Sequence, residues 1–161
     1  MPWNLDLNRT KNVLKQIKLI IMYCQVKIRY TAVQQNGSEK EITETYLFSA
    51  VSFADAETKA AEYAHSMNFR DYAVTAVSNV KLADFIPDDD NGPIKWYRAK
   101  LKHITINERT AKEESCTSLV LIAAECFDAA ALAAKNYASQ LISDTQILSI
   151  AETNIIDVIV D

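Results

Sequence analysis

Two stretches of this 161-residue chain, Tyr23 to Ile86 and Trp96 to Val160, follow one pattern, and that duplication confines the fold to a small module built twice. Each copy opens on an aromatic residue or pair (Tyr23-Cys24, Trp96-Tyr97), then runs through an alternating strand, a turn, a second strand, an Ala-rich helix and a closing apolar strand. Lys27 aligns with Lys100 and Glu41 with Glu114 at an offset of 73. Leu47, Ala50, Phe53, Ala56, Ala60, Tyr63 and Ala64 recur as Leu121, Ala124, Phe127, Ala130, Ala134, Tyr137 and Ala138 at an offset of 74. One residue inserted around the second strand accounts for the change. The closing strands align as Ala73 to Val80 with Ile147 to Asn154.

Local signals name the elements. Val26, Ile28 and Tyr30 alternate with Lys27 and Arg29, the period of a half-buried strand. Asn36-Gly37 supplies the positive-φ residues of a tight hairpin turn into a strand over Glu41 to Phe48. Two registers compete: one sets Arg29 against Glu44, and the other aligns Val26 with Phe48 and Ile28 with Tyr46, leaving Arg29 beside threonines. In the second copy a longer connection, Asn107 to Lys112, joins strands over Trp96 to Ile106 and Ser115 to Ile122. Ser52 and Asp55 read as a capping box for a helix that buries Phe53, Ala56, Ala60, Tyr63, Ala64 and Met67. Its counterpart buries Phe127, Ala130, Ala134, Tyr137, Ala138 and Leu141, with Cys126 as a weaker cap.

Residues 10–21 read as a short basic amphipathic helix with Val13, Ile17, Ile20 and Ile21 on one side, and Pro87 to Pro93 as an acidic linker. The chain thus divides into an N-terminal amphipathic segment (1–21), a first repeat (22–86), a linker (87–94) and a second repeat (95–161). The expected fold is α+β: two tandem β-hairpin, helix, strand repeats forming a pseudo-two-fold pair with antiparallel sheets, plus the short N-terminal helix.

The chemistry that the residues exclude is broad. The apolar run Leu19 to Met22, like every other in the chain, is far too short to span a bilayer. Cys24, Cys116 and Cys126 form no CxxC pair, which favours a reducing, cytoplasmic compartment and ordinary buried thiols. Both glycines fall in predicted loops with no phosphate-cradling motif. His65 lies beside a helix stripe, and His103 takes the strand position of Tyr30 as a packed or edge histidine. No nucleophile or zinc spacing is present, and the carboxylates are plentiful but scattered, with no acid/base pair to be argued from spacing, so neither an enzyme nor a cofactor is expected.

What remains is charge. The chain is acidic, with a net charge of −4, yet Tyr23 to Gln35 carries Lys27 and Arg29 and no acid, and Lys95 to Asn107 carries Lys95, Arg98, Lys100 and Lys102. Cations beside aromatic rings suit single-stranded nucleic acid, the cations tracking phosphates while bases stack on the rings. The candidate site is therefore Tyr23, Lys27, Arg29, Trp96, Tyr97, Arg98, Lys100 and Lys102. The alternative is a protein-interaction module using sheet edges or the N-terminal helix, with homo-oligomerisation open to it.

The phrases Tyr23-Cys24-Gln25-Val26-Lys27-Ile28-Arg29-Tyr30, Glu41-Ile42-Thr43-Glu44-Thr45-Tyr46-Leu47, Ser52-Phe53-Ala54-Asp55-Ala56-Glu57, Trp96-Tyr97-Arg98-Ala99-Lys100-Leu101 and Ala151-Glu152-Thr153 resemble an uncharacterised family of gut bacteria and their phages, over residues 22–161. That family is known only as a domain of unknown function. The resemblance implies a mobile-element or phage setting, in which small proteins bind nucleic acid or block host proteins, and it carries no catalytic or binding residues with it.

Overall fold

The computed structural model describes residues 21–88 and 94–160. The elements run β1 (Met22–Val33), β2 (Glu39–Ala50), α1 (Phe53–Ser66), β3 (Arg70–Val80), β4 (Asp84–Ile86), β5 (Lys95–Ile106), β6 (Glu113–Ala124), α2 (Phe127–Ser139), β7 (Asp144–Glu152) and β8 (Ile155–Ile159). The result is α+β, with two four-stranded sheets ordered β3-β1-β2-β8 and β4-β6-β5-β7. Apart from Ile21, the expected N-terminal helix lies outside the described residues, as does most of the expected linker.

The first hairpin adopts neither expected register. Val26 lies opposite Tyr46, Cys24 opposite Phe48 and Arg29 opposite Thr43. The parity is the one that burial favours, because Cys24, Val26 and Ile28 share a face with Phe48 and Tyr46, but the strands slide by two residues relative to that alignment. The turn explains the slide. Only Gly37 is left-handed, at φ 80°, while Gln34 N–H donates to the Ser38 carbonyl at 2.8 Å and Gly37 N–H to the Gln34 carbonyl at 2.9 Å. The loop is thus a three-residue one with glycine at its left-handed position, rather than a two-residue turn with two positive φ values. The Asn36 side chain holds it by accepting from Ser38 N–H at 2.9 Å.

The second hairpin spans the expected connection, residues 107–112, between β5 and β6. This loop is one residue longer than its counterpart at 34–38, so the inserted residue lies before the returning strand. Cross-strand pairing consequently matches Glu41, opposite Thr31, to Ser115, opposite Ile104, and not to Glu114.

Each helix lies on its own sheet through small side chains. Ala56, Ala60 and Ala64 of α1 pack with Cys24, Val26, Ile28, Tyr46 and Phe48. Ala130 and Ala134 of α2 pack with Tyr97, Ala99, Leu101, Val120 and Ile122. Each large aliphatic side chain so buried contributes roughly 2 kcal/mol. The ends of the predicted helix faces stand clear: Phe53, Met67 and Phe127 are exposed, because they sit in the first turn or beyond the last and overhang the sheet. Phe127 still meets Tyr97 edge-on, with ring centroids 6.3 Å apart.

The fourth strand of each sheet was not anticipated. β4 follows β3 in the chain but joins the sheet of β5 and β6, pairing parallel to β6, so that sheet is not wholly antiparallel. β8 follows β7 but lies beside β2. Accordingly one compact unit takes the described chain up to Val80 together with the segment from Val158, and the other takes Lys81–Asp157. Repeats of the sequence and units of the fold are different divisions of one chain.

Helix capping separates the two units. Asp55 N–H donates to Ser52 Oγ at 3.1 Å, and the Asp55 carboxylate accepts from Val51 N–H at 3.0 Å. Cys126 caps α2 with no side-chain hydrogen bond. Ser52→Ala is therefore expected to cost about 1 kcal/mol, and Cys126→Ser to gain up to about 1 kcal/mol. Urea-denaturation midpoints of the two variants should move in opposite directions.

Candidate functional site

Strand parity decides which side chains reach solvent. On β1, Cys24, Val26 and Ile28 point to α1, which turns Tyr23, Gln25, Lys27 and Arg29 to the opposite face. On β5, Tyr97, Ala99 and Leu101 point to α2, and Trp96, Arg98, Lys100 and Lys102 take the other side. Successive cations on one strand face stand about 6.7 Å apart.

The surroundings of these cations differ between the units. Arg29 Nε lies 2.7 Å from Glu41 Oε1, a diagonal ion pair in place of the cross-strand pair with Glu44. The cross-strand neighbours of Lys27 are Thr45 and Ala76. Those of Arg98 are Leu121 and Ala151, those of Lys100 are Leu119 and Ser149, and those of Lys102 are Thr117 and Gln146. No acid is among them. Lys27, Arg98, Lys100 and Lys102 make no ion pair among the described residues, whereas Lys95 lies 3.2 Å from Glu152.

A backbone irregularity recurs beside both matched lysines. The β1–β3 register shifts between Lys27 and Ile28, and the β5–β7 register shifts between Lys100 and Leu101. Such bulges bend the strand and re-aim neighbouring side chains. Here each lies next to an exposed lysine at the middle of a central strand.

The expected rings are placed differently from the cations. Tyr97 is 3 % exposed within the α2 core and Trp96 is 5 % exposed on the other face, so neither offers a ring surface to a base. Tyr23 is half-buried. Adjacent strand residues point to opposite faces, so Trp96 and Tyr97 do not share one solvent-facing surface, and the face of Trp96 is itself buried at Leu121 and Ala123.

A second polar cluster went unnoticed in the sequence. In the first unit, Tyr30 donates to Glu44 at 2.9 Å, Tyr46 donates to the other oxygen of the same carboxylate, and Phe69 stacks on Tyr30 with ring centroids 3.9 Å apart. The second unit has His103, Ser118, Val120 and Ser143 in the places of Tyr30, Glu44, Tyr46 and Phe69. Serine in place of the stacking ring leaves room there: an open cleft of about 790 Å³ is lined by His103, Ile104, Ile106, Leu141, Ile142 and Ser143, among others. The matched-offset replacement of Phe69 by Ser143 was the available signal. The cysteines also differ from expectation: Cys24 is buried and its thiol pushed up by that burial, with Asp55 adding to it, but Cys116 and Cys126 are exposed and free. They lie at a strand's outer half and a helix start, where little packs over them.

Burial, followed by the hydrogen bond to Glu44, pushes the Tyr30 hydroxyl up to about 12 and the Tyr46 hydroxyl up as well. The folded chain therefore holds these protons more tightly than the unfolded one. The linked stability is complete below the ordinary value of about 10 and is lost as pH rises through about 12. Tyr30→Phe is expected to lower stability at neutral pH and to flatten the decline between those two values. Urea midpoints measured across alkaline pH check both effects.

The family described as "Domain of unknown function (DUF4494)" matches residues 22–161, and the chain belongs to it. No curated protein matches the chain. Among the described residues, no helix is long and apolar enough to cross a membrane.

Proposed function

We propose that this DUF4494 chain is a binding protein that takes single-stranded nucleic acid by its phosphates along the outward faces of β1 and β5. One observation carries the reading: Arg98, Lys100 and Lys102 stand in line on one sheet face, with no acid among their cross-strand neighbours. Lys27 on β1 has the same kind of surroundings, with the same bulge beside it. An unneutralised row of cations in an acidic chain is stabilised by a linear polyanion, which releases its counterions on binding.

With Trp96 and Tyr97 buried, the bases find no stacking platform in these two rings, so the recognition is of the backbone and tolerant of sequence. The matched bulges, hairpins and alanine helix faces support descent of the two repeats from one duplicated module. A cytoplasmic setting among gut bacteria and their phages belongs to the same reading.

A second reading, a protein-interaction module, is favoured by the exposed apolar side chains Leu132, Ile142 and Leu148 of the second unit. Titrating the full chain into a labelled single-stranded oligonucleotide over a salt series separates the two. Nucleic-acid binding predicts a log–log salt slope that becomes shallower by about 0.7 for each of Lys100→Ala and Lys102→Ala. An absence of binding at low salt, or a slope that the variants leave unchanged, returns the function to a protein partner.

A further inference from the structure

The contacts around His103 accommodate a tautomer in which Ser118 is the donor to the ring. Thr145 donates its hydroxyl proton to the Ser143 carbonyl at 3.1 Å, so its lone pairs face the imidazole. In that tautomer the 3.1 Å contact between Thr145 Oγ1 and His103 Nδ1 is a bond in which the ring donates. An imidazole protonated on Nδ1 has a free acceptor at Nε2, which lies 2.6 Å from Ser118 Oγ, within reach of its hydroxyl proton. Ser143 Oγ stands farther off, 3.5 Å from Nδ1 and 3.4 Å from Thr145 Oγ1.

A hydroxyl bonded to a base, with the base oriented by a third group, is the arrangement that activates a serine nucleophile. Of the cluster, His103 and Ser143 line the neighbouring cleft, and Ser118 lies one hydrogen bond behind His103. His103 lines the cleft of about 790 Å³ whose wall includes Ile104, Ile106, Leu141 and Ile142. The first unit has no such arrangement, because Tyr30, Glu44 and Phe69 fill the matched places with a stack and a carboxylate.

We propose that Ser118 is an activated nucleophile, with His103 as its general base and Thr145 as the positioning residue, acting on esters whose apolar part lies against the isoleucine wall. Ser118 Oγ bonds to the ester carbonyl carbon while its proton passes to His103 Nε2. The bond from that carbon to the alcohol oxygen breaks, and the alcohol leaves with the proton from Nε2. Water gives a proton to Nε2 as its oxygen bonds to the acyl carbon; the bond from that carbon to Ser118 Oγ then breaks and Nε2 returns the proton to Oγ, which releases the acid and restores Ser118. This reaction goes beyond the binding function of the cationic faces and does not depend on it.

An alkyl fluorophosphonate, applied to the full chain and followed by intact mass and peptide mapping, tests the proposal. Its reaction forms the Ser118 Oγ–P bond and expels fluoride with the serine proton. The expected result is a single adduct at Ser118, absent from Ser118→Ala. His103→Gln should slow the labelling by about a hundredfold with the circular dichroism spectrum unchanged. Thr145→Val should slow it as well and Thr145→Ser restore it, a comparison that decides the matter if His103→Gln does not fold. Labelling of Ser118 no faster than that of Ser115, which is exposed on the same strand, overturns the proposal. So does an undiminished rate in both His103→Gln and Thr145→Val.

Discussion

A helix whose buried stripe is alanine lies close over a sheet, and the sheet beneath it must then present an unbroken apolar face. In both units that face is drawn from the alternate residues of a hairpin, Cys24, Val26 and Ile28 with Tyr46 and Phe48 in one, Tyr97, Ala99 and Leu101 with Val120 and Ile122 in the other. Because a strand has a period of two, committing these residues to the helix commits Lys27, Arg29, Arg98, Lys100 and Lys102 to the opposite side. A slip of one residue would bury the cations, which is why parity holds even where the register moves.

Within that common frame the two units differ where packing allows it. The first closes the end of its core with Tyr30 stacked on Phe69 and with Glu44 accepting from two tyrosines. The second spends the same positions on His103, Ser118 and Ser143, gaining a hydrogen-bonded cluster and a cleft at the expense of aromatic burial. The cationic faces differ in the same spirit: Arg29 is tied to Glu41, whereas the row Arg98, Lys100, Lys102 is left without an acid beside it.

Much of the fold was legible in the sequence. The alternation around Lys27, the Ser52–Asp55 cap and the alanine stripes rest on periodicity and local hydrogen bonding, which neighbouring residues decide among themselves. The 107–112 connection was legible for the same reason. The sliding of the first hairpin was not, since one left-handed glycine rather than two left-handed residues shapes the loop. Nor were β4 and β8, three and five residues long and each in a sheet other than that of the strand before it.

The candidate site divides along the same line. Sequence alone determined which residues carry the charge and that the lysines sit on the polar side of alternating strands, because that is a matter of period. Only the tertiary structure decided that Trp96 and Tyr97 are buried, that Arg29 is neutralised from a diagonal position, and that His103 meets Ser118 and Thr145. Each of these depends on contacts between strands, and no local pattern of side chains specifies what a neighbouring strand will bring alongside.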